Sequence, residues 1–508
     1  MFKNSVVLLL FVLAKFTLQF ILLSPDYELH RDEFLHLDQA DHLAWGYSSV
    51  PPFTSWISYL IKLLGNGIFW VKFFPDLFGV LTLIMVWKTI KTLGGGLYAE
   101  ILGLSVVLFS ALLRIDLLYQ PNSFDVFSWS AFLYVFIQYI KTKENRYLYF
   151  AALIFGFGFL NKYNIGFLLV GLIPALLVSK ERVIFSKKEF YYALGLGLIL
   201  ILPNLLWQLK NDFPVVHHMK ELASRQLVNV KRTDFLKEQV MFYMGGLPVL
   251  VAALIGLIKS EHLRKYRLLA LSFIVTLSVF TFLKAKAYYA IGIYPIYLGI
   301  GAVYLERILK SSWVRYLKPV LVALPILVFS QMFRVVFPNK SPEYIKAHSK
   351  TYSKLGLLRW EDGKDHELPQ DFADMLGWKE LSAKVDSLYK TFPEANKPFV
   401  MCDNYGQAGS INFYSSIPAL KANSFNADYI DWIDSTQTVR NIILVEDATE
   451  DRNDHSKEEA LFEKVILVDS IANPYAREYS TRIYLLLNNK KEIMPIITAE
   501  IKRRKAEY

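Results

Sequence analysis

Apolar residues fill the first two thirds of the chain in blocks of 14 to 20 residues, at about 5–23, 68–87, 97–113, 124–140, 147–160, 163–178, 190–207, 240–258, 268–283, 287–305 and 319–333. A bilayer core about 30 Å thick takes about 20 apolar residues of helix. The blocks therefore predict eleven spanning helices. The fifth and sixth are short, yet 147–178 is too long for one span, and Asn161-Lys162 divides it, so we read a hairpin. "FFPDLFG" (73–79) interrupts the second block. Ser24-Pro25-Asp26 lacks the small residues of a cleavage site, so the first block reads as an uncleaved helix.

After residue 333 the pattern changes. "LPQDFADMLGWKELSAKVDSLYKTF" (368–392) has the spacing of one amphipathic helix. "KPFVMCD", "NIILVED" and "EKVILVDSI" read as short buried strands, and "STRIYLLLNN" as a further one. Strands alternating with helices predict an α/β domain. The expected fold is thus a polytopic α-helical membrane protein of about eleven transmembrane helices over 1–335, with a C-terminal soluble α/β domain over 336–508.

Charge orients the helices. The loops 88–96, 141–146, 179–189, 259–267 and 306–318 hold seventeen Lys/Arg, whereas the short loops opposite hold only Arg114, Lys162, Lys284 and Lys286. The richer set is expected in the cytoplasm. This puts the N-terminus inside and the C-terminal domain outside the cytoplasmic membrane of a bacterial-type cell. Segment 208–239, with six Lys/Arg, runs mildly against the rule. The formal charge of +10 is accounted for largely by those inner loops, which removes the argument for nucleic acid. With 54% hydrophobic residues and a mean hydropathy of +0.29, the partner is a lipid bilayer. A single cysteine, Cys402, excludes an intrachain disulfide.

On this topology the conspicuous ionisable residues converge on one membrane face. Between Pro25 and Pro51 stand six acidic residues, among them Asp32 and Glu33, against one base, Arg31. Arg114 and Asp125 border the second loop, Lys162 tips the third, His217 and His218 lie in the fourth, and Lys284 and Lys286 in the fifth. Each has a plainer reading: Asp32-Glu33 as a solvated helix start, Asp125 as a cap, the lysines as anchors reaching to headgroups, the histidines as loop surface. Glu33-x-x-His36 and Asp38-x-x-x-His42 have helical spacings that suit a metal, without a complete ligand set. Carboxylates beside cations at a membrane face suit a reaction on an anionic lipid. Cations hold a phosphate as it leaves, and a carboxylate takes the proton of an attacking hydroxyl. Sugar transfer from a polyprenyl phosphate fits. There is no P-loop, and "LGGGLY" (93–98) is an inner turn. A transporter or flippase of a lipid-linked or anionic substrate, and a non-catalytic envelope scaffold, are the alternatives. The first predicts paired broken helices, and the second leaves the clustered charges without a role.

At these residues the chain resembles the GT-C class of integral-membrane glycosyltransferases, in the protein O-mannosyltransferase and aminoarabinose-transferase superfamily, and within it the bacterial family 39-like branch. Asp32-Glu33 followed by Trp45-Gly46-Tyr47 and Pro51-Pro52 resembles the family's first outer loop. Many members carry Asp-His before the prolines, where this chain has Ser48-Ser49-Val50. "PNSFDVFSW" resembles the segment of the second acidic residue, here Asp125, and Lys162-Tyr163 resembles the family's Lys-Tyr turn. "LPNLLWQLKNDFPVVHHMKEL" and "RQLVNVKRTDFLKEQ" are similar to the bacterial branch. "KAKAYYAIGIYPIYLGIGAVYLE", with Lys284, Lys286, Tyr288 and Tyr289, resembles its lysine-tyrosine loop, and "DNYGQAGSINFYSSIP" (403–418) a segment of its outer domain. The resemblance implies a polyprenyl-phosphate-sugar donor, an envelope lipid, glycan or protein acceptor, and inversion at the anomeric carbon. It implies Asp32 and Glu33 as catalytic, and Arg114, Asp125, Lys162, His217, His218, Lys284, Lys286, Tyr288 and Tyr289 as substrate-binding. No cofactor follows with certainty. Metal use varies in the family, so a divalent cation stays open. The outer domain is expected to select the acceptor, with 403–414 facing the site.

Overall fold

The computed structural model describes residues 2–225, 231–310, 313–447 and 455–507. The opening of the motif 225–239, part of loop 306–318 and the stretch 448–454 lie outside the described residues. The chain divides into two compact units.

The first unit comprises Met1–Leu23, Val50–Thr54 and Phe69–Phe337. Every apolar block is helical, from Phe2–Ile21 and Ile68–Thr92 to Leu317–Met332. Length revises the span count, however. Among the described residues, four helices are long and apolar enough to cross a bilayer: Ile68–Thr92, Lys188–Lys210, Ala287–Ile308 and Trp313–Met332. Arg232–Phe242 and Met244–Lys259, bent by 70°, make a fifth if counted as one span. Val6–Ile21, Leu97–Leu108, Arg146–Asn161, Tyr163–Leu177 and Leu268–Phe282 are shorter apolar helices. Blocks such as 147–160, 163–178 and 268–283 were themselves short of a full span, and 97–113 runs on past a helix that ends at Leu108. Pro121–Thr142 is long enough, but Asn122, Asp125 and Ser128, three residues apart, give it a polar face. Pro75 does not break its helix.

Small residues let this unit pack tightly. A Cβ on Gly301 of the Tyr294–Ile308 helix would stand 2.0 Å from the Val249 carbonyl oxygen, and one on Gly246 would stand 2.2 Å from Val106 Cγ1. Such close approach is how apolar helices gain dispersion energy where lipid offers no hydrophobic drive. The Tyr294–Ile308 helix is accordingly buried along most of its length.

The second unit comprises Ser24–Ser49, Ser55–Ile68 and Pro338–Tyr508. The first polar loop thus groups with the C-terminal residues. Its sheet has β1 (Phe399–Cys402), β2 (Ala422–Ser424), β3 (Ile442–Glu446), β4 (Phe462–Ser470) and β5 (Arg482–Asn489), in the order β2-β1-β3-β5-β4. β1 pairs parallel with β2 and β3, while β5 is antiparallel to β3 and β4. β1 and β3 are continuous apolar runs and buried, as interior parallel strands require. β4 is not the buried strand expected: it is an edge, and Ile466, Leu467 and Val468 are exposed. β2, only three residues long, had no signal of its own. The single amphipathic helix expected over 368–392 is two, Gln370–Ala373 and Trp378–Lys390, divided where Gly377 takes φ 88°. A left-handed residue there suits glycine.

The Arg31–Asp38 helix packs on the Tyr405–Tyr414 helix of this unit. Glycines set the distance: a Cβ on Gly406 would meet Arg31 Cβ at 3.2 Å, and one on Gly409 would meet Phe34 Cβ at 2.6 Å. Phe34 is fully buried, edge-on to Trp378 and Tyr414. Backbone bonds fix the register, with Glu28 N donating to Met375 O at 2.8 Å and Arg31 N to Asp374 O at 3.1 Å. The Glu28 carboxylate accepts from the Trp378 and Lys379 amides at 2.8 and 3.0 Å. It caps a helix whose own N-cap, Gly377, has no side chain to do so.

Candidate functional site

In the second unit, the start of the Arg31–Asp38 helix separates the two adjacent carboxylates. His30 is the N-cap: its Nδ1 accepts from the Asp32 amide at 3.2 Å, and Glu33 Oε2 accepts from the His30 amide at 2.7 Å. This reciprocal box turns Glu33 inward, fully buried. Asp32 points the other way, with 39% of its side chain exposed. Its Oδ1 accepts from the Tyr405 hydroxyl at 2.6 Å, and the Arg31 guanidinium lies over the Tyr405 ring, 4.6 Å from its centroid. Burial pushes the Asp32 carboxyl up, but His30, Arg31 and the Tyr405 bond outweigh it and hold the group below its ordinary range. An ionised carboxylate that is partly exposed can accept a proton.

Around it, Arg477 Nη1 meets both oxygens of Asp374 at 3.1 and 3.2 Å, and Gln407 and Thr481 donate to Glu478. The far end of the helix is held similarly. Asp38 accepts from Asn412 Nδ2 at 2.8 Å and the Tyr429 hydroxyl at 2.6 Å, and burial pushes its carboxyl up to about 6.

The metal spacings read from the sequence resolve otherwise. Glu33 closes the cap, His36 Nδ1 is 3.4 Å from Gln39 Oε1, Asp38 is held by Asn412 and Tyr429, and the His42 ring stacks on Trp432 at 4.3 Å. Among the described residues one other group has metal-like closeness, His30, Asp371 and Asp374. Within it Asp374 is also paired with Arg477.

In the first unit a second polar cluster forms where the helix Arg146–Asn161 ends. Lys162 leaves the helix in extended conformation, φ −158° and ψ 128°. Its ammonium donates to Asn122 Oδ1 at 2.7 Å and stands 4.9 and 4.6 Å from the ring centroids of Tyr288 and Tyr289. Both distances are in the cation–π range. Asp125 accepts from Trp129 Nε1 at 3.0 Å and Asn164 Nδ2 at 2.9 Å, and Asn164 also donates to the Tyr289 carbonyl at 2.6 Å. Asp125 therefore ties the Lys162 turn to the tyrosine loop instead of capping its own helix. Asn161 Nδ2 donates to the Pro121 carbonyl at 2.8 Å.

The other candidates fall variously. Lys286 is half-buried, whereas Lys284 is exposed with φ 52°. Arg114 lies on the four-residue helix Leu112–Ile115. His217 and His218 sit half-buried on the helix Pro214–Arg225, with His217 Nε2 3.1 Å from the Asp212 carbonyl.

Comparison with known proteins can now be set beside this geometry. Residues 49–207 match the family model of dolichyl-phosphate-mannose-protein mannosyltransferases. Over 211 residues the chain is 28% identical to the lipid A galacturonosyltransferase RgtD of Rhizobium johnstonii, covering 39% of this chain and 43% of that one. It is 28% identical over 223 residues to the lipopolysaccharide core galacturonosyltransferase RgtB of the same organism, covering 42% and 44%. The chain thus spans less than half the length of these curated relatives. Two crystal structures of ArnT from Cupriavidus metallidurans, bound to undecaprenyl phosphate and in the apo state, superpose with TM-scores of 0.59 and 0.61. Each match covers 94% of this chain and 97% of ArnT at 12% identity. The chain has a GT-C glycosyltransferase fold.

The GT-C fold holds further polar groups that sequence reasoning passed over. Lys15 Nζ meets Asp76 Oδ1 at 2.6 Å, Asp116 Oδ2 at 3.0 Å and Gln19 Oε1 at 3.1 Å, all buried. A Cβ on Gly79 would stand 2.2 Å from Asp116 Oδ2, so the group needs glycine there. Lone charges inside two apolar blocks were the available signal. Tyr405 and Asn412 lie in the segment 403–414 that was expected to face the site, though neither was singled out by itself, and Tyr429 lies outside it. That segment is helical from Tyr405 to Tyr414, and its glycines admit the Arg31–Asp38 helix.

Proposed function

We propose that this chain transfers a sugar from a polyprenyl-phosphate donor to lipid A or another envelope glycan, lipid or protein, at the outer face of the cytoplasmic membrane. The observation that carries this reading is the Lys162 cluster. Three motif segments far apart in sequence bring one ammonium, one amide and two tyrosines together, a set suited to a lipid phosphate. The relatives' activities, on lipid A and lipopolysaccharide core, and the undecaprenyl phosphate bound to ArnT support both substrates.

In this reading Asp32 is the general base. It takes the proton of the acceptor hydroxyl as that oxygen attacks the anomeric carbon. The bond from that carbon to the phosphate oxygen breaks, and its electron pair leaves with the polyprenyl phosphate, whose growing charge Lys162 stabilises together with Lys286, from the same loop as Tyr288 and Tyr289. Attack opposite the departing phosphate inverts the anomeric carbon. Glu33 fixes the helix start that carries Asp32. Arg114, Lys284, His217 and His218 are assigned to donor binding on the resemblance alone.

Mass spectrometry of envelope lipids and glycoproteins, with and without the gene, tests the function. One sugar should disappear from one acceptor, and an unchanged envelope would rule the proposal out. Orientation is tested by labelling from outside the cell. A cysteine replacing Glu450 should react and one replacing Phe185 should not.

A further inference from the structure

Resting on the reading of Asp32 as base, we infer that Tyr405 is a positioning residue for that carboxylate. Asp32 and Tyr405 lie 373 positions apart, yet their oxygens are 2.6 Å apart, the length of a strong hydroxyl–carboxylate bond. Three features fix the arrangement. Asn404 caps the Tyr405–Tyr414 helix, its Oδ1 accepting from Gly406 and Gln407 amides at 2.9 and 3.1 Å, which sets the direction of Tyr405. Gly406 brings the helix within Cβ contact of Arg31. Arg31 then lies flat on the Tyr405 ring at 4.6 Å. The hydroxyl holds Oδ1, Oδ2 lies 3.9 Å from His30 Nδ1, and 39% of the side chain stays exposed, where a proton can reach it. A carboxylate held at one oxygen cannot rotate freely, so the proton-accepting oxygen keeps one orientation, which is what proton transfer in the transition state requires. Without the bond the carboxylate turns about its side-chain torsions and meets the acceptor hydroxyl less often.

Tyr405→Phe removes one hydroxyl and keeps the ring under Arg31. It should lower kcat about 10-fold, the low end for a bond to a charged group, with the KM for the donor and the thermal midpoint unchanged. The deciding readout is a double-mutant cycle. On an Asp32→Asn background Y405F should cost nothing further, because its effect runs through that carboxylate. Tyr429→Phe is the control. It removes an equivalent bond, to Asp38 at the other end of the same helix, and should stay additive with D32N. If D32N falls below detection, Asp32→Glu serves as the background. A Y405F enzyme with normal kcat, or one whose loss adds fully to that of D32N, overturns the inference while leaving Asp32 as base. Normal transfer by D32N itself overturns the reading beneath it.

Discussion

Lys162 finds its hydrogen-bond partner 40 residues back, at Asn122, whereas Asp32 finds Tyr405 373 residues on. The two clusters also treat charge differently. Lys162 is contacted by one neutral amide and two aromatic faces, while the Asp125 carboxylate acts on its charge from nearby. Asp32 sits among His30, Arg31 and a tyrosine hydroxyl, which keep it ionised but restrained. A cation that must receive an anion gains from direct contacts without charge. A base that must be aimed gains from partners that grip one oxygen. The contrast fits the proposed function, in which the first unit binds the donor and the second takes the proton.

The sharpest way to break that contrast is to remove the base. Asp32→Asn keeps the shape and should cut transfer at least ~100-fold, the lower bound usual for a general base, with donor affinity intact. Glu33→Ala should behave differently, because Glu33 closes the capping box and is fully buried. Its loss should appear as instability of about 1 kcal/mol more than as lost chemistry. Turnover assays beside thermal melts separate the two. Equal chemical losses with unchanged melts would undo the division between the adjacent carboxylates.

Next comes Lys162→Met, which keeps the stem and removes the charge. Losing one charge-assisted contact to phosphate should weaken donor binding about 10- to 100-fold, read with a labelled polyprenyl phosphate. Lys284→Met, at an exposed position, should lose less. Normal donor affinity in both would return the lysines to the role of membrane anchors.

Much of this was legible beforehand, for physical reasons that vary by region. Every apolar block is a helix, because a continuous apolar run in lipid has few other ways to satisfy its backbone. The break at Asn161-Lys162 was legible because two polar residues interrupt the apolar run, whereas the turn after Leu108 lies inside the block 97–113 and was not. Asp32, Asp125, Lys162, Tyr288 and Tyr289 were all singled out, and the last four do assemble. The glycine break at Gly377 and the exposed edge β4 were hidden: the helical period continues through the glycine, and an edge strand with three consecutive exposed apolar residues reads as core. The grouping of Ser24–Ser49 with Pro338–Tyr508 was invisible, because helix-on-helix packing through Gly406 and Gly409 leaves no local pattern. That grouping also means that cutting the chain near 336 would strip the Arg31–Asp38 helix of its packing partners, so the acceptor-selecting role we propose for the C-terminal residues needs point substitutions.

Gly409→Ala tests the packing directly. The new Cβ would meet Phe34 Cβ and the Tyr429 hydroxyl, each at 2.6 Å, and neither the buried ring nor the bonded hydroxyl has room to withdraw. Overpacking of this kind costs about 1–3 kcal/mol, visible as a lower melting midpoint. A displaced Arg31–Asp38 helix also misaims Asp32, so kcat should fall while donor affinity, a property of the other cluster, stays. A melt unchanged by G409A would mean that the two helices are not locked at this distance.

The smallest effect expected is a pH slope at the far end of the same helix. Asp38 lies against Asn412 and Tyr429, with Lys421 and Lys62 as its nearby cations, and burial raises its carboxyl to about 6 from the usual 3.8. The folded state therefore holds this proton more tightly than the unfolded chain does. The stabilisation linked to it is complete below about pH 4 and is lost as pH rises through about 6. Asp32, held below its ordinary range, works oppositely and only at lower pH, where the unfolded carboxyl would take up its proton. Asp38→Asn removes the titrating group and keeps an acceptor for Tyr429. Between pH 4 and pH 6 the difference in melting midpoint between the native chain and D38N should therefore shift against the native chain as pH rises, then level off above about pH 7. A difference that is flat across that window would show that Asp38 titrates as an ordinary carboxylate, and that the two ends of the Arg31–Asp38 helix do not differ in how they hold charge.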